Sequence, residues 1–159
     1  MRSNSMLSMT VNTKKVELML SGYQRTLPEA LNKSAKKIAS MYAYFYLIEA
    51  QKAGITSWTG RSFSVLRQQI KDPIKMGNGY GVLVPSTLIA QDQLKKPTIV
   101  SLKKGRSISR WAKAKLGKNS GFITIHPHPF IRKANLNAGA NVNKITRMNM
   151  DEALIRKGR

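Results

Sequence analysis

The chain has 159 residues, 42% of them hydrophobic, a length and composition that suit one domain with a single core. It carries 28 Lys and Arg against seven Asp and Glu, and this net charge of +21 predicts an anionic partner, because like charges on one small surface repel each other. The absence of cysteine excludes disulfides, thiolate metal sites and cysteine nucleophiles.

Charge alone does not choose among nucleic acid, an anionic membrane surface and acidic protein subunits as that partner. The longest apolar run, residues 41–48, is too short to span a bilayer, and the first ten residues lack the continuous apolar stretch of a signal peptide. We therefore expect a protein that is made in the cytosol and has no membrane partner.

The first 20 residues predict an arm followed by a short strand. Residues 1–14 are polar, rich in Ser and Met and without a clear period, which indicates a flexible arm. Val16, Leu18 and Leu20 alternate with their neighbours, and this period of two predicts a strand over residues 15–20.

A long helix is predicted to begin at Thr26 and to end before Gly54. Thr26, Pro28 and Glu29 have the pattern of a capping box with proline in the first turn. Apolar residues then recur at spacings of three and four: Leu27, Leu31, Ala35, Ile38, Tyr42, Phe45 and Ile48. Gly54 is a typical helix stop.

The second half of this helix, residues 41–50, is apolar or aromatic on nearly every side. A surface helix that faces a single layer does not need such a pattern. One interpretation is a central helix in the core. The other is that one side packs on the chain's own sheet while Tyr42, Phe45 and Tyr46 contact a neighbouring subunit.

The middle of the chain predicts short elements. Phe63, Leu66 and Ile70 indicate either a second helix or an extended bridge, and the Gly-Asn-Gly turn at residues 77–79 predicts a hairpin. The strands predicted in this part are Ile74 to Met76, Tyr80 to Val84 and Thr98 to Leu102. The connection between Pro85 and Pro97 is expected to be a short helix or a loop.

The segment over residues 103–118 is strongly basic and contains no acid. Ile108, Trp111, Ala112 and Leu116 are spaced as one apolar stripe of a helix that Ser107 would cap. The cations of this segment are Lys103, Lys104, Arg106, Arg110, Lys113, Lys115 and Lys118. They predict contact with an anionic partner, either nucleic-acid phosphates or an acidic protein face, and the alternative is a solvated face.

The C-terminal part predicts a strand and then a helix. Residues 121–125 have the strand pattern, with Phe122, and as a second candidate Ile123, facing apolar surroundings. The two prolines within residues 126–129 should end this strand, because proline has no N–H to donate to a ladder. A final helix is expected from Phe130, and residues 146–159 are expected to form a short helix or a tail.

No set of residues predicts catalysis. The acids are scattered along the chain apart from the last pair: Glu17, Glu29, Glu49, Asp72, Asp92, Asp151 and Glu152. His126 and His128 could share a metal, but one chain offers no third His, no Cys and no neighbouring acid. Phosphate-binding loops, nucleophile elbows and dinucleotide fingerprints are missing. We expect no enzyme activity, no metal and no cofactor.

Motifs in a fixed order resemble a known viral family. The long helix is followed by a turn with the sequence Trp58-Thr59-Gly60-Arg61, and a later strand ends in His128-Pro129-Phe130, which opens a helix containing Ala134. This order is similar to that of the tailed-phage gene-product-ten-like family of neck and tail-completion proteins. In that family a Thr-Gly turn follows the first helix and a His-Pro-Phe motif opens the last one.

The resemblance implies an α+β protomer with a single connector-type domain over residues 15–145. In it a long N-terminal helix packs on a small antiparallel β-sheet, and a further helix lies at the C-terminus. Thr59 and Gly60 would be turn residues, while Pro129 and Phe130 would fix and anchor the last helix.

The family also implies a homo-oligomeric ring, of six copies, at the head–tail junction of a virion assembled in the host cytoplasm. Such a neck, tail-completion or tail-terminator ring contacts connector and tail-tube proteins and surrounds the DNA channel. The charge alone suggests an alternative, a small basic DNA-binding protein of nucleoid or packaging type.

Overall fold

The computed structural model describes residues 13–55, 60–102, 113, 117 and 121–155. Its elements in chain order are α1 (Thr13–Lys52), α2 (Arg61–Lys71), β1 (Ile74–Met76), β2 (Gly79–Gly81), α3 (Ser86–Gln93), β3 (Thr98–Ser101), β4 (Phe122–Ile125) and α4 (Ile131–Ile155). Within these ranges the strands pair in two antiparallel ladders, β1 with β2 and β3 with β4. The predicted α+β class, with a long first helix and a helix at the C-terminus, is confirmed.

Helix α1 begins earlier than predicted, and the strand predicted over residues 15–20 is wrong. Val16 and Leu20 are also four residues apart, so a short run of this kind fits a helix as well as a strand. Thr26 does not cap the helix, because its Oγ1 donates to the carbonyl oxygen of Gly22, 2.9 Å away in the preceding turn. Pro28 lies inside the helix.

The predicted stop of α1 at Gly54 is confirmed. Gly54 has φ 77°, in the left-handed region that favours glycine. Its amide donates to Gln51 O over 3.0 Å, and the Ile55 amide donates to Ala50 O over 3.1 Å. This pair of bonds is a Schellman motif, and it places Ile55 in the core beside Ala50.

Helix α1 runs antiparallel to α4, which is its most extensive packing partner, and it also contacts α2 and β2. At one end Lys33 bonds to Glu152, and at the other Tyr46 bonds to Asn135. The buried residues of these two helices are mostly small: Ala30, Ser34, Ala39, Ala43, Ala134 and Ala138. Small side chains let the two backbones approach closely. The packing of α1 on α4 therefore depends on this close approach more than on large apolar residues.

The main core lies where the end of α1 meets α2, α3 and the start of α4. Its buried members are Leu47, Ala50, Ile55, Leu66, Leu88 and Phe130. Phe63 and Ile70 pack against this cluster, which is why α2 is a helix rather than an extended bridge.

The β3–β4 pair, called the ribbon below, carries a second apolar cluster on one face. Leu102 and Ile123 are buried there, with Val100 and Ile125 against them. Phe122 is opposite Ser101 on the other face and is 66% exposed. The prediction of apolar surroundings is therefore wrong for Phe122 and confirmed for Ile123, because side chains alternate along a strand.

The predicted hairpin of β1 and β2 is confirmed, although its second strand ends at Gly81. Two residues after β2 ends, the backbone forms hydrogen bonds with a side chain in place of a neighbouring strand. Gln69 Nε2 donates to Leu83 O over 2.9 Å, and the Leu83 amide donates to Gln69 Oε1 over 2.7 Å. The amide of Gln69, buried on α2, thereby satisfies the backbone that follows β2.

Helices α3 and α4 lie in the second half of the chain. The connection between Pro85 and Pro97 contains a helix, α3. Helix α4 is continuous to Ile155 and passes through the boundary predicted at residue 146.

Candidate functional site

The predicted motif His128-Pro129-Phe130 forms the corner between β4 and α4, called the His-Pro-Phe corner below. The His128 amide donates to Gln91 O over 3.1 Å, and the ring Nδ1 lies 2.6 Å from Ala53 O. A carbonyl oxygen only accepts, so Nδ1 carries a proton and donates it. Phe130 is 1% exposed in the main core. The corner thus ties the ends of α1 and α3 to the start of α4.

Asp92 caps α4 from a different helix. Its Oδ1 accepts the amide of Phe130 over 2.6 Å and that of Ile131 over 2.7 Å. The first amides of a helix have no partner inside it, and a negative charge there is favourable. This role could not be predicted from the sequence, because Asp92 lies 38 residues before the first amide that it caps and no local motif joins them.

The Thr-Gly turn that the sequence analysis singled out is described only in part. Gly60 has φ 71° directly before α2, and its carbonyl accepts the Ser64 amide over 3.0 Å. Thr59 lies outside the described residues.

Neither histidine belongs to a metal site in the part of the chain that the structure describes. No three His, Asp or Glu side chains come together there as ligands. His128 Nδ1 is engaged by Ala53 O, and His126 is exposed.

Glu49 is a buried carboxylate near the end of α1, with a side chain that is 2% exposed. Lys52 Nζ lies 3.0 Å from Oε1, Lys133 Nζ lies 3.5 Å from Oε2, and Asn137 donates to Oε1 over 3.3 Å. The hydrogen bond from Lys52 lowers the pKa of Glu49, and the charges of both lysines add to this effect although burial opposes it. Glu49 therefore joins α1 to the first turn of α4.

Other acids also hold the fold together. Asp72 pairs with Lys36 over 3.3 Å, Glu152 pairs with Lys33 over 2.6 Å, and Asp92 caps α4. Seven acids cannot neutralise 28 cations, and four of the seven, Glu49, Asp72, Asp92 and Glu152, are already engaged within the chain. The cationic surplus is therefore open to an external anion.

An uncharged groove lies between α1 and the hairpin, called the tyrosine groove below. Its volume is about 380 Å³, and it is lined by Ala35, Ile38, Ala39, Tyr42, Tyr46, Tyr80, Gly81 and Val82. The Tyr42 and Tyr46 ring centroids are 6.3 Å apart, and the Tyr46 hydroxyl donates to Asn135 Oδ1 over 2.6 Å. Burial raises the pKa of Tyr46, and the neighbouring Tyr42 adds to this rise.

The structure brings together two of the three residues predicted at a subunit interface. Tyr42 and Tyr46 line the tyrosine groove, whereas Phe45 is half-buried outside it. Phe45 instead makes an edge contact with Tyr44, with ring centroids 5.5 Å apart. Tyr80 and Val82 were missed, because the sequence does not show which face of α1 the hairpin covers.

The predicted anion-contact segment is described only at two positions. Lys113 is helical and exposed, and its carbonyl accepts the Gly117 amide over 3.2 Å. The other cations predicted to contact the partner lie outside the described residues: Lys103, Lys104, Arg106, Arg110 and Lys115. The Leu102 amide donates to Gly121 O over 2.9 Å, so the two ends of the segment meet at the base of the ribbon.

Two further findings are negative. In the described ranges no helix combines the length and the apolar character that crossing a membrane requires. In the comparisons with known proteins, no family model, no curated protein and no solved structure matches the chain.

Proposed function

We propose that this chain is a structural subunit of the head–tail junction of a tailed virus. Copies form a ring in the virion that links the capsid connector to the tail. The subunit acts by contact with connector and tail-tube proteins and with the DNA that passes through the ring, and it catalyses no reaction.

The observation that carries the proposal is that the chain does not enclose the aromatic half of α1. Tyr42 and Tyr46 are only half-buried and line an open groove between α1 and the hairpin. Aromatic residues, tyrosine among them, are enriched in the cores of protein interfaces. An uncharged aromatic groove on a chain of net charge +21 supports a protein–protein contact at this position.

The electrostatics support an anionic neighbour. Glu49, Asp72, Asp92 and Glu152 form contacts inside the chain, so few acids remain to balance the cations. A ring that surrounds DNA, or that stacks on acidic rings, would neutralise this surplus.

The His-Pro-Phe corner agrees with a structural role for the motif on which the resemblance partly rests. His128 and Phe130 are held by backbone and core contacts at the joint of three helices. Within the described residues this joint shows neither a metal-ligand cluster nor a paired set of acids.

Native mass spectrometry and negative-stain electron microscopy of the purified chain, with and without duplex DNA, test the proposal. We expect closed rings of one copy number with a central hole. Tyr42→Asp should abolish them, because it places a charge in the tyrosine groove. Tyr44→Asp is the matched control on the same helix, outside the groove, and should leave the rings intact. Monomers under every condition, or rings that survive Tyr42→Asp, would contradict the proposal.

One observation favours a second candidate, a small DNA-binding protein of nucleoid or packaging type. Residues 93–150 contain no acid at all. Such a protein should bind duplex DNA as a monomer or dimer, and its affinity should fall by orders of magnitude between about 50 and 200 mM salt. Steep salt dependence without ring formation in the same samples would favour this candidate over the ring.

A further inference from the structure

We infer that the tyrosine groove of one copy receives the outer face of the ribbon of the next copy, so that subunits join head to tail. This inference rests on the proposed ring and names the two surfaces that would connect its subunits.

The outer face of the ribbon presents two large apolar side chains to solvent. Ile99 is 69% exposed and Phe122 is 66% exposed. Ile99 pairs with Thr124 and Phe122 pairs with Ser101, so the two apolar residues are diagonal neighbours on one face. The opposite face already has its own apolar cluster. Ile99 and Phe122 therefore do not belong to the apolar cluster of the ribbon itself.

The lack of charged residues on both surfaces favours a second copy as the occupant of the groove. Among the described residues none that lines the tyrosine groove is charged, and neither strand of the ribbon contains an ionisable residue. The two lysines of α1 closest in sequence to the groove are held elsewhere, Lys36 by Asp72 and Lys37 by Asn149. Two chains of net charge +21 repel over most of their surfaces, and a contact between two uncharged apolar surfaces limits this repulsion. The exposed Lys75, which pairs with Tyr80 across the hairpin, is a cation that remains beside the groove wall in register.

The inferred contact repeats in one direction, from the groove of one copy to the ribbon of the next, and is therefore heterologous. Each copy offers one groove and one ribbon, and a repeated contact of this kind closes into a ring when the rotation between copies allows it. In a reciprocal two-fold dimer both contacts would form between the same two copies, and oxidation of the double cysteine variant described below would stop at a covalent dimer.

Cysteine cross-linking tests the inference directly, because the natural chain has no cysteine. Tyr80→Cys and Phe122→Cys are made singly and together and oxidised at high protein concentration. The double variant should give a ladder of covalent oligomers, and an equal mixture of the single variants should give covalent dimers only. Leu136→Cys on α4, also 66% exposed, replaces Phe122→Cys in the control and should not cross-link to Tyr80→Cys.

A complementation experiment keeps the test independent of the cysteines. Tyr80→Asp and Phe122→Asp should each be monomeric, and their mixture should form a heterodimer, since one intact groove and one intact ribbon remain. Native mass spectrometry separates the two species after one chain is isotope-labelled.

The possible results separate this inference from the proposed function. Rings of the natural chain without the selective cross-link would overturn the groove-to-ribbon contact and leave the ring proposal standing. Equal cross-linking to Leu136→Cys, or Tyr80→Asp and Phe122→Asp variants that still form rings, would also overturn it. Absence of both rings and cross-links would count against both.

Discussion

Replacing Asp92 by alanine should destabilise the whole fold although Asp92 is not in the core. Asp92 Oδ1 is the acceptor for the amides of Phe130 and Ile131, at 2.6 and 2.7 Å. Alanine removes that acceptor and the negative charge at the start of α4. Since α4 is the main packing partner of α1, loss of its first turn should lower the stability of both helices.

The size of the effect follows from where the two amides lie. Phe130 is 1% exposed, so its amide would be buried without a partner, and such a group costs about 1–3 kcal/mol. Ile131 is only half-buried, and water can replace the acceptor there. Helix caps lost to alanine typically cost about 1 kcal/mol, and we therefore expect a loss of about 2 kcal/mol. For a chain of this length that corresponds to a melting temperature lower by about 4–8 °C.

Urea denaturation followed by circular dichroism measures this loss, with Asp92→Asn as the matched variant. Asparagine keeps an acceptor oxygen and is as good a cap as aspartate, so it should lose only the charge contribution of roughly 0.3–1 kcal/mol. If alanine changes the free energy of unfolding by less than about 0.5 kcal/mol, or if asparagine is as damaging as alanine, the capping argument is wrong.

Two further predictions concern pH and backbone conformation. The pKa of Glu49 is lowered in the folded state, so the stability advantage of the natural chain over Glu49→Gln should be full above about pH 6. The advantage should shrink as the pH falls below the pKa of the unfolded chain, about 4.3, and should vanish below the pKa of the folded chain. Urea midpoints of both chains between pH 3 and 7 measure this, and a constant difference would contradict it. Gly54→Ala should lower the free energy of unfolding by about 1 kcal/mol, because φ 77° strains alanine. Gly139→Ala is the matched opposite case. Gly139 lies inside α4, and apart from the adjacent helix backbone no described atom comes within 4 Å of the added Cβ. This variant should raise stability by about 0.5–1 kcal/mol, so a loss at both positions would contradict the reasoning.

Elements with a strong local signal could be predicted from the sequence. The Gly-Asn-Gly turn fixed the hairpin, Gly54 ended α1, and the long apolar repeat after Leu27 placed the body of that helix. In each case the residues that determine the structure lie within a few positions of one another. The error at residues 15–20 arose because an alternation of only six residues is compatible with both periods.

Features that depend on distant residues could not be predicted. Helix α4 is rich in Ala and Asn and has no clear apolar stripe, and its length is explained by its packing along α1. There Asn149 donates to Ser34 Oγ over 3.0 Å and accepts from Lys37, contacts that no sequence period reveals.

The candidate site likewise contains some residues that a local sequence signal predicts and others that only the tertiary fold brings into place. Tyr42 and Tyr46 were identified because residues 41–50 of α1 are too apolar for one packing face. Their neighbours Tyr80 and Val82 come from the hairpin, and only the tertiary fold brings them together. Of the predicted anion-contact cations, the structure describes Lys113 alone, so that segment stays a prediction.

The bond pair between Gln69 and Leu83 has a consequence for how solvent conditions act on the molecule. This amide fixes the chain directly after the hairpin wall of the groove, and an amide neither titrates nor loses strength to added salt as an ion pair does. The shape of that wall should then persist across buffers, while attraction between the cationic surface and any polyanion fades as ionic strength rises. Sulfate or phosphate salts, which favour apolar burial, should promote self-association under the very conditions that release nucleic acid.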